Sequence, residues 1–152
     1  MTNSKANILR IIAIILAMAG LTAPAVAGSV PETMQVNATL VWGAKDKPAG
    51  KKLQPVGPDL QEKLRKCLKW EHYYQISRKN VNLAGSKPQR VRMSKKCEVE
   101  VKRLKADLLN VKLIGEGKVV VNKKHSLAKD NSVVMGGPGE DKSAWFVVLQ
   151  FK

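Results

Sequence analysis

The chain has 152 residues, with 27 Lys and Arg against 12 Asp and Glu, a formal charge of +15, and 44% hydrophobic residues. That apolar fraction excludes a disordered polycation. Two cysteines and two histidines exclude a disulfide-dense mini-protein and a four-thiolate zinc site, so neither a cofactor nor a dedicated metal centre is expected.

Residues 1–27 read as an export signal. Lys5 and Arg10 supply positive charge, Ile11 to Leu21 is apolar, and Ala25, Val26 and Ala27 precede Gly28. Gly20 and Pro24 interrupt the apolar stretch, which falls short of the roughly 20 residues that span a bilayer. Cleavage after Ala27 is expected, with no transmembrane span left behind. It removes two cations and no acid, leaving 125 residues with a charge of +13. A flexible terminus over 28–35 and a single β-rich globular domain over 36–152 follow, in a periplasmic or secreted location.

From Val36 to Trp42 the apolar residues alternate with Asn37 and Thr39, the period of a half-buried strand. Gly43 to Gly57, rich in Lys, Pro and Gly, reads as a loop. Leu60, Leu64, Cys67 and Leu68 then fall at helical spacing, with Asp59 and Glu62 at the interval of a capping box. Beyond Trp70 the period returns to two. Tyr74 and Ile76 share a side, and Val81 and Leu83 lead to a turn at Ala84–Ser86. Val91 and Met93 alternate with Arg90 and Arg92, and Cys97, Val99 and Val101 with Glu98, Glu100 and Lys102. Leu109, Val111 and Leu113 run into a Gly115–Gly117 turn, and Val119 to Val121 returns from it. Ser132 to Met135, a loop at Gly136–Gly139, and Ala144 to Phe151 complete the pattern, the last segment apolar on both sides. The fold class is mainly β with one helix (α+β): an antiparallel meander forming a small sandwich or barrel.

Cys67 on the apolar face of the helix and Cys97 on an inward strand face suggest a disulfide, which in an oxidising compartment contributes about 3 to 4 kcal/mol in the loop-entropy picture. Glu98 and Glu100 lie roughly 7 Å apart on one strand face, a separation found in glycosidases. Among so many cations, cross-strand ion pairing is the better reading. His72 and His125 lack a framing motif, as does Ser126, so they read as surface residues, and catalysis is not expected. Trp42, Trp145 and Phe151 read as core. The remaining content is charge. Lys63, Arg65, Lys66 and Lys69 line the helix, Arg90, Arg92, Lys95 and Lys96 border a strand pair, and Lys123 and Lys124 follow the hairpin. These ten are the candidate anion-binding residues. Only six of the 27 cations are Arg, and aromatics do not interleave with the basic runs. Diffuse Lys-driven attraction to an anionic envelope polymer or lipid headgroups therefore fits better than sequence-specific nucleic-acid recognition.

Leu40–Gly43, Lys96–Val101, the Val111–Val119 hairpin and the Ala144–Leu149 ending together resemble a group of small exported bacterial β-rich proteins. That resemblance covers most of the processed chain and implies no activity. Ser132–Gly137 is similar to the apolar run and Gly-Gly of strands in outer-membrane secretins, without the rest of their pattern. The readings to test are a non-enzymatic binding domain, an accessory piece of an envelope or secretion assembly bound to an envelope protein through a sheet edge or the Gly136–Gly139 loop, and a small hydrolase built on His72 or His125 with Glu98 and Glu100.

Overall fold

The computed structural model describes residues 33–47, 49–50, 52–140 and 142–152. The export signal read over 1–27 lies outside them, as does most of 28–35. Nine strands and one helix follow in order: β1 (Met34–Ala44), β2 (Gln54–Pro55), α1 (Pro58–Cys67), β3 (His72–Leu83), β4 (Gln89–Arg92), β5 (Cys97–Lys105), β6 (Leu108–Gly115), β7 (Lys118–Ser126), β8 (Ser132–Pro138) and β9 (Ser143–Phe151). They form a five-stranded sheet, β2-β3-β1-β9-β8, and a four-stranded sheet, β4-β5-β6-β7. Every pairing is antiparallel, and the sheets do not close into a barrel.

Period-two alternation sets which side chains face which layer. Val36, Ala38, Leu40, Val147, Leu149 and Phe151 of the larger sheet share a core with Cys97, Val99, Val101, Leu109, Val111 and Leu113 of the smaller one. The opposite side of the larger sheet carries a second cluster, in which Val41, Tyr73, Phe146 and Val148 pack with Leu64 of α1. Leu64 is fully buried, which stabilises the docked helix by about 2 kcal/mol. This explains why β9 is apolar on both sides. It is the face-to-face partner of one sheet and the floor beneath a helix.

Four expectations are corrected. β1 begins at Met34, inside the segment expected to be flexible, and β2 lies within the Gly43–Gly57 loop. The capping box does not form. Gly57 is the N-cap with no side-chain bond, Pro58 supplies a first turn that needs no donor, and Glu62 pairs with Lys66 instead. Leu68 is extended and closes the helix by donating its N–H to the Leu64 carbonyl. Gly136, Gly137 and Pro138 are strand rather than loop, opposite Phe146, Trp145 and Ala144. A Cβ at Gly136 would fall on the Trp145 carbonyl oxygen, so only glycine lets β8 pass there.

The expected disulfide is also absent. Cys67 is an exposed free thiol and Cys97 a buried one. α1 packs on the outer side of the five-stranded sheet while Cys97 belongs to the core on its inner side, so β1 and β9 separate the two sulfurs.

Candidate functional site

The four-stranded sheet turns its other side to solvent, and its register arranges the charges there in rows. Arg90 stands opposite Glu100, which stands opposite Lys112, then Asn122; Arg92 stands opposite Glu98. The geometry is that of an ion-pair ladder. Arg92 Nε donates to Glu98 at 2.8 Å, Arg90 reaches Glu100 at 3.0 Å and Glu98 at 3.8 Å, and Lys112 Nζ donates to Glu100 at 3.0 Å. The Glu100 side chain is only 15% exposed. The Lys112 and Arg90 hydrogen bonds hold its carboxyl below the usual carboxylate pKa, against the opposing effect of burial. The cross-strand reading of Glu98 and Glu100 therefore holds.

The next row is different. Lys102, Asn110 and Lys124 are aligned across β5, β6 and β7, which puts the two lysines roughly 10 Å apart at ordinary strand spacing. Both are exposed, and neither has an ion-pair partner among the described residues. These three rows carry five cations against two carboxylates, a net +3 on one solvated face. Lys102 was not among the ten expected residues. Its alternation with Glu98 and Glu100 places it on this side, a signal carried by facing rather than by a run of neighbouring cations.

The ten expected cations do not gather into one patch. Lys63 bonds Ser132 Oγ and pairs with Asp130 at 3.4 Å, Lys66 pairs with Glu62 at 2.7 Å, and Arg65 donates to the Glu71 carbonyl. These three and Lys69 lie with α1, on the far side of the sandwich from the ladder. Lys95 and Lys96 occupy the β4–β5 turn, where Lys96 pairs with Glu116 at 3.1 Å. Lys123 sits opposite Val111, on the core-facing side of the edge strand β7, yet is exposed; a cation there discourages sheet-to-sheet association.

The residues of the hydrolase reading are not brought together. His125 is buried rather than superficial, with Nε2 at 2.8 Å from the Asp130 carbonyl and its ring stacked on Phe151. His72 stacks on Tyr74 in the other sheet. Two cavities open among the described residues, and neither histidine, nor Glu98, nor Glu100 lines them.

The larger cavity, of about 620 Å³, opens between the sheets at one end of the sandwich. Trp42 and Trp145, expected in the core, are half-buried and form part of its wall, with Leu40 and Cys97 deeper in and Lys96, Glu116 and Glu140 among its polar residues. Phe151 is core as expected. A smaller cavity of about 300 Å³ lies at the start of α1, beside Thr39, Arg78 and Lys152. Among the described residues no helix is long and apolar enough to cross a membrane.

No family model, curated protein or solved structure matches this chain.

Proposed function

We propose that the chain is an exported, non-catalytic binding domain that attaches to anionic envelope material through the solvent face of its four-stranded sheet. The observation that carries this reading is the Lys102–Asn110–Lys124 row beside a ladder whose own acids are already neutralised. An incoming anion meets two unpaired ammonium groups there without having to displace a carboxylate. Lysine suits this task because it acts as a compact point charge with no demand for planar bidentate geometry, which matches repeated phosphate or carboxylate groups of unspecified spacing. The field of the processed chain, +13 once Lys5 and Arg10 leave with the signal, draws such polymers in over a Debye length, about 8 Å at physiological salt.

The test has two parts. Fractionation of the native cell locates the protein; recovery in the cytoplasm with residues 1–27 intact would end the export reading. Purified protein is then applied to vesicles containing phosphatidylglycerol and to zwitterionic vesicles. Retention on the anionic surface that fades as salt rises is the expected result. Equal retention on both surfaces, or retention indifferent to salt, rejects the electrostatic mechanism.

A further inference from the structure

The described strands carry three register shifts, one in the larger sheet and two in the smaller, and the extra residue is apolar in each; Leu104 is the one in the β5–β6 pairing, and the other two lie at the cavity. In the β1–β3 pairing Leu40 faces Ser77 and Val41 faces Gln75, so Ile76 is the residue left over. In the β6–β7 pairing Leu113 faces Val121 and Ile114 faces Val119, leaving Val120. Ile76 is 46% exposed and Val120 51%, and both line the 620 Å³ cavity between the sheets. Bulges re-aim side chains, commonly beside binding sites. Here two of them, in different sheets, aim apolar side chains at the same cavity.

We propose that this open end of the sandwich is a binding site for an acyl chain, with the hydrocarbon between the sheets and its oxygen-bearing head at the mouth. Volume places the cavity among small-ligand sites, which run from roughly 300 to 1,000 Å³. Backbone accounting excludes a peptide strand. β1, β9, β5 and β6 are interior to their sheets; the edge strands β7 and β8 reach the cavity only through Val120 and Pro138, so a peptide lying between the sheets would bury most of its own amides unpaired. A glycan fails for the same reason, since its hydroxyls need many partners and the interior wall is Leu40, Cys97 and the two indoles. An acyl chain asks only for apolar walls and a few donors near the head. Those are present: the indole N–H groups of Trp42 and Trp145 make no hydrogen bond among the described residues, and the Lys96 ammonium, its side chain 80% exposed, sits in a surface pair with Glu116 that exchanges readily. Glu140 adds a negative charge at the same cavity, so the chain, rather than the sign of the head, supplies the selectivity.

This site is separate from the lysine row and is tested separately. The full chain carrying Trp70→Phe, which removes the tryptophan under α1, is titrated in high salt with octanoate, decanoate and dodecanoate below their micelle concentrations. Emission from Trp42 and Trp145 is followed. Saturable change is expected, with Kd falling about fourfold per added methylene until the cavity is full. Val120→Glu, at an exposed position, is expected to weaken dodecanoate at least about tenfold, while Lys102→Glu with Lys124→Glu leaves it unchanged. Dodecanoate is compared with a lysophosphatidylglycerol of the same chain length. Tighter binding of the first identifies free fatty acid as the source, and tighter binding of the second a membrane lipid. Affinity independent of chain length, binding unaltered in Val120→Glu, or response only to an aromatic cation would overturn the proposal. Loss of salt-dependent vesicle retention with this binding intact would instead count against the lysine row alone.

Discussion

The two thiols show how strongly position alone sets the chemistry of one residue type. Cys97 lies in the inter-sheet core, and burial, helped by the nearby Glu98 charge, pushes its pKa from 9.0 to about 11. A thiol reagent at mildly alkaline pH should therefore label the exposed Cys67 and spare Cys97 until the chain is unfolded, because the thiolate is the reactive form. Mass spectrometry of the labelled native protein reads this directly, and equal labelling of both sulfurs would mean Cys97 is not held as described. Linkage supplies the sign of a second effect. Between pH 9 and 11 the unfolded thiol has lost its proton and the folded one keeps it, so stability falls as pH rises through that window, by on the order of 2 kcal/mol. Denaturant titrations of Cys97→Ala should show a shallower decline over the same range. Gly136 makes the matching point about volume. With the Trp145 carbonyl where a Cβ would be, Gly136→Ala has to push β8 away from β9, and a loss of at least about 2 kcal/mol in chemical denaturation is expected.

At the level of strands, the ladder on the small sheet couples stability to charge in opposite directions. Glu98 and Glu100 restrain Arg90, Arg92 and Lys112, so replacing both with Gln should cost about 1 kcal/mol per pair lost and at the same time raise retention on an anionic surface by releasing three cations. A variant that is less stable and also binds less would show that the ladder is the binding surface itself. The Glu100 carboxyl is held low by Lys112 and Arg90; its contribution is present above the ordinary carboxylate pKa and lost as pH falls below it. Thermal melts in the acid range should therefore separate wild type from Glu100→Gln at neutral pH and let them converge as acid is added. Much of this was legible in the sequence, because alternation alone puts Glu98, Glu100 and Lys102 on one side and Cys97, Val99 and Val101 on the other. What alternation omits is the bulge, which shifts the phase locally. Alternation puts Ile76 on the same side as Tyr74, yet it is the unpaired residue at a register break. Composition misled at Gly136–Pro138, where glycine serves close strand approach rather than a turn. Nor does local pattern reveal which sheet a strand joins or which side a helix covers, and the Cys67–Cys97 expectation failed for that reason.

For the molecule as a whole, the question is whether a high net charge or its placement governs attachment. The cations of α1 and those of the small sheet occupy opposite sides of the sandwich, so an anionic surface engages one group or the other but not both in the same encounter. Two double variants separate the alternatives: Lys102→Glu with Lys124→Glu, and Lys66→Glu with Lys69→Glu. Each changes the net charge by the same amount, and all four positions are exposed, so neither should disturb folding beyond a few tenths of a kcal/mol. If long-range attraction to a positively charged body were sufficient, the two would elute from an anionic matrix at the same reduced salt. Placement predicts otherwise. Lys66 is already paired with Glu62, and the helix surface has no aligned row of unpaired cations, so its variant should lose only the share owed to net charge. The sheet variant should lose that share and the local contact as well, with a fall in elution salt at least about twice as large. Equal falls would reduce the lysine row to ordinary solubilising charge, and a larger fall for the helix variant would move the binding surface to the other side of the fold.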